Sequence, residues 1–123
     1  MSLVEVHARM ANTAIIYCVI MAIWGLIRFF RGLGVSGGYF GAVVIAEILL
    51  AIQGVIGLIL WFGVAPVHPQ WVHWLYGIVL LFATPLVYAY TKGRQDRPEL
   101  LLYAVAFVIM IALVLRAMVT GAA

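Results

Sequence analysis

The chain alternates long apolar runs with short polar breaks. Four runs stand out, at about 3–30, 39–62, 71–91 and 100–119. Each is long enough to cross a hydrocarbon layer of about 30 Å as a helix rising about 1.5 Å per residue. None shows the period-two alternation of a barrel strand, so helices must satisfy the backbone in lipid. The breaks, at 31–38, 63–70 and 92–99, are short. Short connections make sequential helices antiparallel, which predicts one all-α domain, an up-down-up-down transmembrane four-helix bundle. Asp96 is placed to cap the fourth helix, with Pro98 and Glu99 in its first turn. Pro85, inside the third run, is expected to kink it.

Composition sharpens the picture. Of 123 residues, 67% are hydrophobic and only 9% charged, whereas soluble domains carry roughly a quarter charged residues. The formal charge of +3 is small and its basic residues gather at loop ends. Membrane topology therefore explains it, and a nucleic-acid partner is not expected. Arg28, Arg31, Lys92, Arg94 and Arg97 lie at one end of the predicted bundle, Arg9 and Arg116 near the other. By the positive-inside rule, both termini and the 63–70 loop face outward, as expected for an integral protein of a prokaryotic cytoplasmic membrane. No basic segment precedes the first apolar run, so no cleavable leader is expected. The single cysteine, Cys18, falls mid-span and reads as inert packing.

Candidate chemistry concentrates at the outer end. The stretch from Val67 to Gly77 holds His68 and His73, two of only three histidines. His73 lies inside its apolar run, and an ionisable ring at such a depth marks a functional site by default. His7 occupies an equivalent position in the first run. Counted from mid-span, the two differ in depth by only about 3 Å. In a simple four-helix bundle the first and third helices are diagonal, so two inward imidazoles at one level can grip an iron porphyrin from both faces. Gly77 follows His73 by one turn and Ala14 follows His7 by two, leaving room for a flat ring or serving close helix packing. Arg116 and Arg9 lie at about the right level for propionates. Trp61, Trp74 and Tyr76 are candidate pocket walls, although tryptophans at this depth also form an ordinary interfacial belt, Trp71 included. A zinc or copper site using His7, His73 and His68 as a spare ligand is the alternative, but no carboxylate or thiolate nearby completes its shell.

Three segments carry a family resemblance. Glu5-Val6-His7-Ala8-Arg9 resembles the Glu-x-x-His-Arg segment that opens a haem-bearing helix of heme A synthase, with one residue fewer before the histidine. Gln53-Gly54-Val55-Ile56-Gly57 resembles that family's Gln-x-x-Leu-Gly run. Pro66 and then Val72-His73-Trp74-Leu75-Tyr76-Gly77 resemble its second ligand helix. The order agrees across the first three helices. The resemblance implies a four-helix unit with one b-type haem between His7 and His73. Heme A synthase is similar to two such bundles fused, and it has an outer loop with paired cysteines that this chain lacks. A homodimer packed through Gly25, Gly41, Gly54 and Gly57 would imitate the fused pair. The altered Glu5 spacing turns that carboxylate off the histidine's face.

Glu47 and Gln53 are the remaining intramembrane polar residues. Glu47 reads as a proton relay, an ion site or a quinone hydrogen-bond acceptor, or else as a carboxyl held by a hydroxyl of Tyr17, Thr84 or Tyr88. Gln53 reads mainly as interhelical glue. The expected function is haem binding or electron transfer rather than stand-alone catalysis. The rivals are a cofactor-free subunit of a respiratory or photosynthetic membrane complex, a heme A synthase-like enzyme and a small proton-coupled transporter.

Overall fold

A computed structural model describes residues 2–63 and 69–122. It contains four helices, α1 (Leu3–Phe30), α2 (Gly37–Phe62), α3 (Trp71–Thr91) and α4 (Arg97–Ala122). All four are long and apolar enough to cross a membrane. Each packs on its neighbours in sequence and α4 closes the ring against α1, so α1 and α3 stand diagonally and make no direct backbone approach. Both described termini lie at one end of the antiparallel bundle, the histidine end; the connections at 31–36 and 92–96 form the other, the arginine end.

Two helices start earlier than hydropathy predicts, because capping rather than apolarity sets a helix start. Ser36 accepts the amide of Tyr39 at 3.0 Å, so α2 begins at Gly37. At the head of α1, Ser2 accepts the amide of Glu5 at 3.2 Å, and Glu5 brings its charge to the first turn. Together these give the Ser-x-x-Glu pattern of a capping box. α4 begins at Arg97, directly after Asp96, and runs to Ala122 rather than stopping near 119.

The packed core sits in the arginine half. Tyr39, Tyr103, Phe107, Met21, Leu100 and Met110 are fully buried there. α4 is the central element: Leu100, Tyr103, Ala104, Phe107, Met110 and Val114 form a buried stripe at helical spacing along it. α1 answers with Ala14, Cys18, Met21, Ala22 and Gly25. Cys18 is thus a buried free thiol in the core, as its position mid-span predicted. At Gly25 the helices approach so closely that a Cβ would lie 2.6 Å from the Tyr39 hydroxyl and 3.0 Å from the Ala104 Cβ. That hydroxyl donates to the Met21 carbonyl at 3.1 Å. Gly25 therefore serves packing within the chain, while Gly41 and Gly54 meet nothing within 4 Å.

The arginine end is tied by its own cations. Arg28 donates twice to the Gly34 carbonyl, at 2.8 and 3.2 Å. Arg97 donates to the Phe29 carbonyl at 2.7 Å and lies 3.9 Å above the Phe29 ring. These contacts satisfy carbonyls at and just beyond the end of α1, which a helix terminus leaves without partners. Towards the histidine end packing thins. Beyond Leu50 on α2 and before Leu80 on α3 no described residue is fully buried. α2 and α3 touch least of the four neighbouring pairs.

Gly25→Val should lower the denaturation midpoint by the equivalent of about 1–3 kcal/mol, the usual range for overpacking. Gly41→Val, into open space, should stay near the wild-type value in the same circular-dichroism melt in detergent.

Candidate functional site

All four helices contribute side chains or backbone to one level near the histidine end. His7 from α1 and His73 from α3 meet there with ring centroids 6.3 Å apart and planes at 66°. A metal–nitrogen bond of about 2 Å, plus about 1.1 Å from a ring nitrogen to the imidazole centre, separates two rings on one metal by about 6 Å. Two rings sharing a bond axis can take any mutual rotation, so 66° is compatible with that arrangement.

Each imidazole is held from a different side. Nδ1 of His73 lies 2.7 Å from the Ala117 carbonyl of α4. A carbonyl only accepts, so Nδ1 carries the proton and Nε2 keeps its lone pair for a metal. Thr120 Oγ1 is 3.4 Å from the same nitrogen while donating to the Arg116 carbonyl at 3.0 Å. Gly121 completes the cradle, since a Cβ there would stand 2.7 Å from Cε1 of His73. The Gln70 amide donates to the Thr120 carbonyl at 3.2 Å, tying the start of α3 to the same turn.

His7 is backed by α2. Gln53 donates Nε2 to the His7 carbonyl at 2.7 Å, and a Cβ on Gly57 would lie 3.4 Å from Cε1 of His7. Two buried polar atoms have no partner among the described residues, Nδ1 of His7 and Oε1 of Gln53. One can donate and the other accept, and the Gln53 side chain is already bonded to the His7 backbone. A bond between them would give His7 the same tautomer as His73.

The other predicted residues fall around this pair. Trp61 and Trp74 meet edge to face, centroids 5.2 Å apart at 89°, and bridge α2 to α3. Tyr76 is half-buried and Gly77 exposed. A Cβ on Gly77 would meet nothing within 4 Å, since this position faces out of the bundle. Arg9 and Arg116 are exposed at neighbouring levels, and the only ion pair among the described residues is elsewhere, Arg94 with Glu99 at 3.9 Å. Glu5 is exposed, and its backbone amide donates to the Ser2 hydroxyl. His68 lies outside the described residues. Of the three hydroxyls considered for Glu47, Thr84 is the partner, donating to Oε2 at 3.0 Å; Tyr17 donates instead to the Ala42 carbonyl at 2.5 Å.

Among the described residues no group of three His, Cys, Asp or Glu side chains converges. Two neutral imidazoles cannot by themselves close a zinc or copper shell, but they suffice for a metal that brings its own equatorial ligands. The facing imidazoles, with centroids 6.3 Å apart, fit such a group. The α4 cradle of Ala117, Thr120 and Gly121 was invisible to motif reasoning. Its only trace in the sequence is the run of small residues one helical turn apart in the last span.

No protein family, curated protein or solved structure matches this chain.

Gly121→Ala should displace the His73 ring, and Gln53→Leu should leave His7 free to change tautomer. Both effects are readable as shifts of the imidazole 15N resonances. Gln53→Leu should also cost about 1 kcal/mol of stability for the lost bond to the His7 carbonyl.

Proposed function

We propose that this chain is a membrane b-type haem protein, with His7 and His73 as the axial ligands of one haem. What carries the reading is the 6.3 Å spacing of the two imidazole centroids from diagonal helices. Bound haem would supply a one-electron couple at a fixed depth in the membrane. The chain's part is to hold the ligands and set their basicity. The Ala117 carbonyl orients His73, and Gln53 and Gly57 back His7. The exposed guanidiniums of Arg9 and Arg116 stand within the same zone, free to bind propionates. Trp61 and Trp74 cover the outer edge between α2 and α3.

Electron transfer or haem binding suits this site better than catalysis. The resemblance to heme A synthase supports the haem, while the exposed Glu5 gives that family's oxidation chemistry no buried carboxylate. The basic residues at the arginine end support an inward-facing arginine end and outward termini in a prokaryotic cytoplasmic membrane. The remaining reading, a cofactor-free subunit of a larger complex, predicts a colourless protein.

An absorption spectrum of the purified chain tests this. A Soret band with sharp reduced α and β bands is expected, and His7→Ala and His73→Ala should each abolish the six-coordinate spectrum. A colourless protein from haem-replete cells, or a spectrum unchanged in both variants, would sink the proposal.

A further inference from the structure

A second polar feature lies in the opposite half of the bundle, away from the histidines. Between α2 and α3 a cavity of about 290 Å³ is lined by Phe40, Glu47, Ile48, Thr84, Pro85 and Tyr103, among others. Its walls are otherwise apolar and aromatic. Phe40 lies 5.7 Å from Tyr88 at a tilt of 33° and 6.5 Å from Tyr103, edge to face. Ile48, Pro85 and Tyr88 are exposed on the bundle surface, so the cavity opens sideways to lipid. Its one strongly polar feature is the Glu47–Thr84 pair. Thr84 donates to Oε2, and Oε1 takes no bond from the described residues.

The contents of this cavity are constrained from several sides. Small-molecule pockets run from about 300 Å³ upward, so this one is sized for a single ring. Glu47 is ten residues into α2, on the order of 15 Å from its start, below the depth of phospholipid headgroups. Oε1 of Glu47 is an acceptor in either charge state of the carboxyl, and a plain acyl tail offers it no hydrogen. A membrane-soluble, single-ringed molecule able to donate a hydrogen bond from deep in the bilayer fits these constraints.

We propose that this cavity binds the ring of a lipid-soluble quinol, with a ring hydroxyl donating to Oε1 of Glu47 and the tail leaving between Ile48 and Pro85. The two-tyrosine and phenylalanine wall faces the ring, and Thr84 holds the carboxyl in position. The proposal does not draw on the histidine pair and stands or falls apart from it.

Decylubiquinol titrated into the full chain in nanodiscs, followed by calorimetry and infrared difference spectroscopy, provides the test. Saturable binding with a shift of a carboxyl band is expected. That band change should vanish in Glu47→Gln, and affinity should fall at least tenfold in Val44→Trp, which fills the rim from an exposed position and leaves the Glu47–Thr84 bond in place. Wild-type melting of Val44→Trp would show that folding is intact; if it is not, Ile48→Trp serves the same purpose. Absence of saturable binding, equal affinity for dodecanol, or undiminished binding in the filled variants would overturn the assignment.

Discussion

Within the hydrocarbon layer there is no water to take up a hydrogen bond, and the tyrosine, glutamine, glutamate and histidine side chains at the helix contacts answer that constraint by reaching another helix. Tyr17 bonds the Ala42 carbonyl, Tyr39 the Met21 carbonyl and Gln53 the His7 carbonyl, all joining α1 to α2. His73 binds α4 through Ala117, and Thr84 binds α2 through Glu47. Since apolar side chains gain nothing by leaving lipid for one another, these bonds and close contacts such as Gly25 against Tyr39 fix how the helices sit. Against that background the two unpaired atoms at His7 and Gln53 stand out. They occur together, at the level where the diagonal imidazoles approach.

The bundle is therefore built in two zones. The arginine half is densely filled by α4 and its partners, with Phe107 and Tyr103 at its centre. The histidine half has the same helices but fewer buried side chains. Fewer side chains are buried around the two imidazoles than in the arginine half, so a group bound there would add contacts that the helices do not supply themselves. α2 and α3 are bridged at only a few levels, by Phe40 with Tyr88, Glu47 with Thr84, and Trp61 with Trp74.

Much of this was legible in the sequence. Four spans of sufficient length fix an antiparallel bundle, and equal depth on the first and third spans brings His7 to His73. That inference needed only helical rise and the diagonal placement of alternate helices. Thr84 was one of three hydroxyls within reach of Glu47, but helix rotation decides among them and hydropathy does not report rotation. The apolar run begins later than α2 because Ser36 acts through capping, while the residues around Asp96 already marked the start of α4. The cradle for His73 was hidden for a different reason: it consists of a backbone carbonyl and a missing side chain, at Ala117 and Gly121, neither of which carries chemistry in its residue name.

Pro85 gives α3 a further property. Having no amide hydrogen, it leaves the Leu81 carbonyl without its usual partner one turn back, between the Trp61–Trp74 bridge and the Phe40–Tyr88 contact. α3 nonetheless runs unbroken from Trp71 to Thr91, one backbone bond short at this turn. The segment bearing His73 is anchored to α4, and the segment bearing Tyr88 leans on α2. The missing bond falls beside the Thr84–Glu47 contact, so the point where α3 has least backbone support is also where a side-chain bond ties it to α2.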